Sequence, residues 1–440
     1  MEHLSRRRVI HTGLIAGGAA LAGCIGDDGD DDPADDADDS DDVDDTEPDV
    51  IDYEIWALDQ GTDNIYVYSP SDHAEAEYDL IEEVDLHEYD DVEPNEDGNV
   101  TPHMIAYSSD YAYAAVACTN GAQTLIFRTE DYELVAALNT GPGSHFAGFT
   151  PDDDAIIVDV IGDSTILRVE ADLDDESFDI DDEIVVNEDI EGLTDQEGAP
   201  ICHSYDHDGR SYHTLGPGYP NAGLVVVDHD DFSVERAYPG EKLSTNCGTV
   251  PHPTDDKFYL TAGMPTPTDD DGEPIEDEEG VGAYYVLDTA EDEILVDGVD
   301  TGGIDAHGFW FTPDGEELWV LNRETNDGVI VDPETDDVIE EIDAYGPDDG
   351  DEPGERDAPD IMWAEPNGEF LFVTLRGPNP LSGDPHAATG VTPGFSIIDI
   401  ANRDIVDVVE PDADNDASDF HGIGVRPIGD VGDLHTSPPY

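Results

Sequence analysis

The chain has 440 residues, of which 112 are Asp or Glu and 14 are Lys or Arg, for a formal net charge of −98. A balance of that sign excludes a nucleic-acid partner, which needs clustered Lys and Arg. The acids fill turns along the whole length, and lysine is confined to Lys242 and Lys257. Self-repulsion on this scale is screened only where the Debye length shrinks to about 3 Å, in molar salt, so the composition points to a halophile's protein.

Residues 1–24 read as an address rather than as structure. Ser5 to Ile10, S-R-R-R-V-I, resembles a twin-arginine export signal. The apolar run after it ends in L-A-G-C, Leu21 to Cys24, which resembles a lipobox. The resemblance implies export in folded form, cleavage before Cys24, lipidation of its sulfur and attachment to the outer face of the cell membrane. Residues 25–49 are an acidic, low-complexity tether that cannot bury a core. The remainder, 50–440, reads as one domain. Of its cysteines, Cys118, Cys202 and Cys247, two could pair outside the cell, and spacing does not choose which.

In that domain one grammar recurs: a residue, five more, then a tight turn. His103 lies six residues before Ser109, His145 before Pro151, Cys247 before Pro253, His307 before Pro313, Asp360 before Pro366 and His421 before Pro427. The weakest copy puts Ile201 in the position, with His203 two residues later. The seven copies are spaced 42, 56, 46, 60, 53 and 61 residues apart. Short alternating apolar runs follow each copy and read as strands, and such a period signals a propeller. Residues 53–90 hold three strand-like runs with no leading copy, and the copy at His421 has no further strands after it. The two fragments make one shared blade, so the expected fold is an all-β, seven-bladed β-propeller closed by its N- and C-terminal strands. Closure removes the open edges.

The P-D-G-x-x-L-W-V turn after His307 resembles the surface-layer-type propeller repeat, often called the YVTN repeat. With the leader and the composition, that resemblance implies a surface lipoprotein of a haloarchaeon. It specifies a fold and leaves the function open.

The first strand of a propeller blade lines the central channel, so the repeated position forms a ring at one mouth. Four of its seven members are histidine in a chain with 15 histidines among 440 residues. Imidazoles with a carboxylate and a thiolate are ligands that zinc and copper accept. The candidate metal ligands are therefore His103, His145, His203, Cys247, His307, Asp360 and His421, with His203 placed by the two-residue strand period. The same histidines would also serve as inherited ties between blades. Arg323 and Arg376 lie ten residues after the turn marks of their blades, at matching sites, where they would clamp an anion or pair with carboxylates. The insertions 263–280, 346–359 and 376–390 should all lie on the mouth face.

No phosphate loop, C-x-x-C-H haem motif or G-x-S-x-G elbow is present, so a non-catalytic role is expected. The axial histidines give a weaker resemblance to periplasmic zinc metallochaperone propellers. It implies hand-over of metal to a transporter's binding protein, although the segment that is His-rich there is polyaspartate here. The alternatives are a cell-surface interaction scaffold and a metal- or haem-dependent oxidoreductase-like propeller. Nitrous oxide reductase would add a cupredoxin domain and nitrite reductase a haem.

Overall fold

The computed structural model describes residues 50–429 except 191–198, 217–222, 230, 270–271, 276–277, 351 and 412–415. The leader, Cys24 and the acidic tether lie outside the described residues. Among those described, the strands form seven four-stranded antiparallel sheets, the blades of a propeller. Blade 1 is the shared one. Its innermost strand is Phe420–Pro427, followed outward by Tyr53–Asp59, Asn64–Asp72 and Glu77–Asp85. The two chain ends pair from Tyr53 opposite Pro427 to Asp59 opposite Phe420. The first strands of blades 2 to 7 are Pro102–Tyr107, Ser144–Phe149, Ala199–Tyr205, Thr249–Pro251, Ala306–Phe311 and Pro359–Ala364. Each first strand contacts the next around the ring, and that of blade 7 contacts that of blade 1.

The turn grammar has a physical basis. The backbone N–H of Ser108, Thr150, Thr312 and Glu365 each donates to the carbonyl five residues on, in Tyr113, Ala155, Glu317 and Phe370. In the Thr312 copy the hydroxyl also donates to Asp314, at 2.7 Å. Gly315 then takes φ +70, a conformation that a side chain disfavours. Outside the turns, apolar side chains pack between neighbouring blades. Trp310 and Trp319 of blade 6, for example, share a cluster with Met362, Leu371 and Val373 of blade 7.

One irregularity recurs where the site is built. The first and second strands of blades 1, 2, 3, 4, 6 and 7 each slip register by one residue at the inner strand's start. The extra residue falls at His421–Gly422, His103, His145, Ile201–Cys202, His307–Gly308 and Asp360–Ile361. A bulge bends the strand and re-aims its side chain. In six of the seven blades the ring position is thus a bulge position, freed from the alternation of the strand below it.

Candidate metal centre

The bulges bring the ring members of six blades close to one another, with Cys247 of the seventh beside them. His421 stacks on His103, with ring centroids 3.7 Å apart. His103 Nε2 meets His145 Nε2 at 2.8 Å. His145 Nδ1 reaches the Ile201 carbonyl at 2.9 Å. Cys202 Sγ stands 2.9 Å from Cys247 Sγ. His307 Nε2 lies 3.0 Å from Asp360 Oδ1, and Asp360 Oδ2 lies 3.6 Å from His421 Nε2. This approach requires glycine beside the ring: a Cβ on Gly308 would stand 2.8 Å from the Asp360 carbonyl oxygen, and one on Gly422 2.5 Å from that of His103. The chain enters the first strands of blades 2 and 6 through left-handed residues, Thr101 at φ 61 and Asp305 at φ 65. For a β-branched threonine this is a true outlier. It is held by Asp63, whose carboxylate accepts from the Thr101 N–H at 2.6 Å.

Hydrogen bonds assign the tautomers. A carbonyl can only accept, so His145 donates from Nδ1 to Ile201, and His421 donates from Nδ1 to the His103 carbonyl at 3.1 Å. A neutral imidazole pinned in this way has its lone pair on Nε2. His145 Nε2 faces His103, and His421 Nε2 faces the Asp360 carboxylate, itself an acceptor. Burial holds His103 and His421 well below the ordinary histidine value and lowers His145, so these three are neutral. His307 goes the other way. Burial and Arg323 depress it, but the Cys247 sulfur and Asp360 more than offset them and raise it to about 9. His307, Asp360 and His421 each offer a ligand atom within 4.8 Å of the others'.

A collar of ion pairs surrounds this cluster. Arg376 donates to both Asp419 oxygens at 2.7 and 2.9 Å and to Asp360 Oδ2 at 2.7 Å. Arg323 donates to Asp305 at 2.8 Å and approaches Asp360 Oδ1 at 3.4 Å. Asp360 is wholly buried, and although burial alone would raise its pKa, its cationic neighbours Arg323, His307 and Arg376 hold it well below the usual carboxylate range. Three carboxylates, Asp305, Asp360 and Asp419, thus face two guanidiniums and His307, whose raised value keeps it cationic at neutral pH, so these charges balance. Two mouth-face insertions anchor on the collar. The Leu381 N–H donates to Asp419 and the Ser382 carbonyl accepts from Arg376, while Thr266 donates to Glu324 beside Arg323. His103, His307 and His421 are nearly inaccessible, and only His145 among the ring histidines is half-buried.

The structure thus joins His103, His145, His307, Asp360, His421 and, by way of Cys202, Cys247. It ties Arg323 and Arg376 to carboxylates of the same cluster. His203 belongs elsewhere: its Nδ1 donates to Asp159 Oδ2 at 2.7 Å, and His213 donates to the other oxygen at 2.6 Å. This group is buried between blades 3 and 4, and Ser211 links it to His229. The strand period misplaced His203 because the bulge at Ile201–Cys202 adds a residue before it. Sequence reasoning also missed Cys202, Asp305 and Asp419. The last two carried a signal, since D-A-H and D-F-H place an aspartate two residues before His307 and His421.

The sequence matches no protein-family model and no curated protein. Among solved structures, a protein from Lactobacillus plantarum superposes with a TM-score of 0.54 at 13% identity, over 86% of this chain and 100% of that one. Kuenenia stuttgartiensis hydrazine synthase superposes with a TM-score of 0.50 at 14% identity, over 68% of this chain and 76% of that one. At these identities the likeness shows the fold alone.

Proposed function

We propose that this propeller holds a transition-metal ion, zinc in the first place and copper in the second, at its axial mouth. His103, His145, His307, His421 and Asp360 are its ligand pool. The observation that carries the reading is the facing of acceptors. His421 Nε2 and the Asp360 carboxylate point at one another with no proton assigned between them, and a cation is what such a pair receives. A purely structural tie would need only the Nδ1 bonds to neighbouring backbone. Imidazole and carboxylate donors suit zinc and copper. Ordering of those rings by backbone carbonyls is the outer-shell device that fixes a metal-binding tautomer.

The burial of the cluster supports a resident ion more than a cargo. A metallochaperone passing metal to a transporter's binding protein needs ligands that a partner can reach, whereas here every ring histidine except His145 is nearly inaccessible. Export and a lipid anchor at Cys24 complete the proposal and rest on the leader sequence. Protein purified in molar salt should contain zinc or copper near one equivalent by elemental analysis. His421→Ala should lose most of it, while His386→Ala, whose ring lies against Glu324, should retain it. Metal-free protein that takes up neither ion, or two variants that behave alike, would remove this reading.

A further inference from the structure

Sequence spacing left the cysteine pairing open, and the structure narrows it. Cys118 is buried in a cluster with Val116, Leu125 and Phe127 of blade 2. Cys202 and Cys247 share a different cluster and stand 2.9 Å apart at sulfur without a bond. Cys202 lies in the bulge of blade 4, and Cys247 two residues before the first strand of blade 5.

We propose that Cys202 and Cys247 are a redox pair in the wall of the axial centre, which a two-electron oxidant closes into a disulfide joining blade 4 to blade 5. Distance selects this over joint ligation of one ion. Two sulfurs on a tetrahedral zinc, each about 2.3 Å from it, stand about 3.8 Å apart, whereas disulfide sulfurs stand about 2.05 Å apart. At 2.9 Å the pair is too close for the first and needs about 0.9 Å of approach for the second. Either cysteine, once deprotonated, can attack the oxidant, and the disulfide formed is the same. His145, the half-buried member of the ring, borders the pair, with its Nδ1 3.7 Å from Cys202 Sγ.

With hydrogen peroxide the chemistry balances. The Cys247 thiolate attacks one peroxide oxygen, the S–O bond forms, the O–O bond breaks, and hydroxide leaves. That hydroxide takes the proton of the Cys202 thiol and becomes water. The Cys202 thiolate attacks Cys247 Sγ, the S–S bond forms and the S–O bond breaks. The second hydroxide takes a proton from solvent. The two sulfurs lose two electrons and the two oxygens gain them. The disulfide does not depend on a metal. Its consequence does rest on the metal reading: the oxidised pair no longer offers the centre a thiolate at Cys247.

The test uses the full chain in molar salt, treated either with hydrogen peroxide or with a water-soluble phosphine. Each sample is then unfolded, alkylated and digested with chymotrypsin for mass spectrometry. The peroxide sample should contain the Cys202 and Cys247 peptides joined, about 2 Da below the sum of the two free peptides. Cys118 should be alkylated in both samples. Cys202→Ser and, independently, Cys247→Ala should abolish the joined species. Alkylation of both cysteines after peroxide, or linkage of either to Cys118, would overturn the proposal. Zinc uptake by the two samples provides the separate readout, and weaker uptake after oxidation is expected. A closed disulfide with no uptake in either sample would remove the metal reading and leave the redox pair standing.

Discussion

Replacing Asp360 with Asn removes the one carboxylate shared by both arginines of the collar while preserving its shape. The side chain is fully buried, 2.7 Å from Arg376 and 3.4 Å from Arg323. Breaking a buried ion pair by removing one partner costs about 3–5 kcal/mol. Arg376 keeps Asp419 and Arg323 keeps Asp305, which places the loss at the low end, about 3 kcal/mol. With about 2.1 cal/mol/K of unfolding entropy per residue, a domain of about 380 residues has about 0.8 kcal/mol/K, so Tm should fall by about 4 °C. Calorimetry at molar salt, with surface screening equal in both proteins, is the assay, and Glu334→Gln on the exposed surface is the control. The difference has a predictable pH course. A depressed folded pKa means that Asp360 contributes fully above the unfolded value near 3.9 and loses its contribution as pH falls through the folded one. The gap between wild type and D360N should therefore hold at pH 5 to 7 and shrink below about 4. A D360N protein that melts with wild type at pH 7 would refute the view that this carboxylate balances the collar.

Three further outcomes follow from the geometry. Deleting residues 420–440 removes the innermost strand of blade 1 and unpairs Tyr53–Asp59; the product should aggregate or lose cooperative melting, while a chain ending at residue 429 should behave as wild type in gel filtration and circular dichroism. Lowering salt from molar to about 0.1 M lengthens the Debye length to about 10 Å and should lower Tm, so an unchanged Tm would contradict the charge argument. His103, His145, His203 and His421 have depressed values, so the unfolded chain takes up protons that the folded one refuses as pH drops below about 6.5, and stability should fall by about 1.4 kcal/mol per pH unit for each. His307, raised to about 9, acts in the opposite sense: its contribution is complete below about 6.5 and is lost as pH rises through about 9. A flat Tm between pH 7 and 5 in molar salt would show that the imidazoles are not held neutral.

What the sequence made legible and what it hid have one cause. Blade number and closure are consequences of counting, and the count survives irregularity inside any strand: the fragment at 53–90 and the lone strand at His421 had to meet because neither could cover its own edges. Ring membership at His103, His145, His307, Asp360 and His421 came from the same count, and in the first four it is measured from a turn whose hydrogen bonds fix the register. His203 came from a different rule, the two-residue alternation of an ideal strand. That rule fails at a bulge, and six of the seven first strands carry their bulge at the ring position. The device that turns the ring side chains toward each other is therefore also the device that defeats inference from one ring residue to its strand neighbours. Cys202 shows the same effect in reverse, reaching Cys247 from a position that alternation would direct away from it. In such a fold, distance from the turn is the dependable coordinate for the centre. The aspartates two residues before His307 and His421 could have been found with it, because they are measured from the same mark.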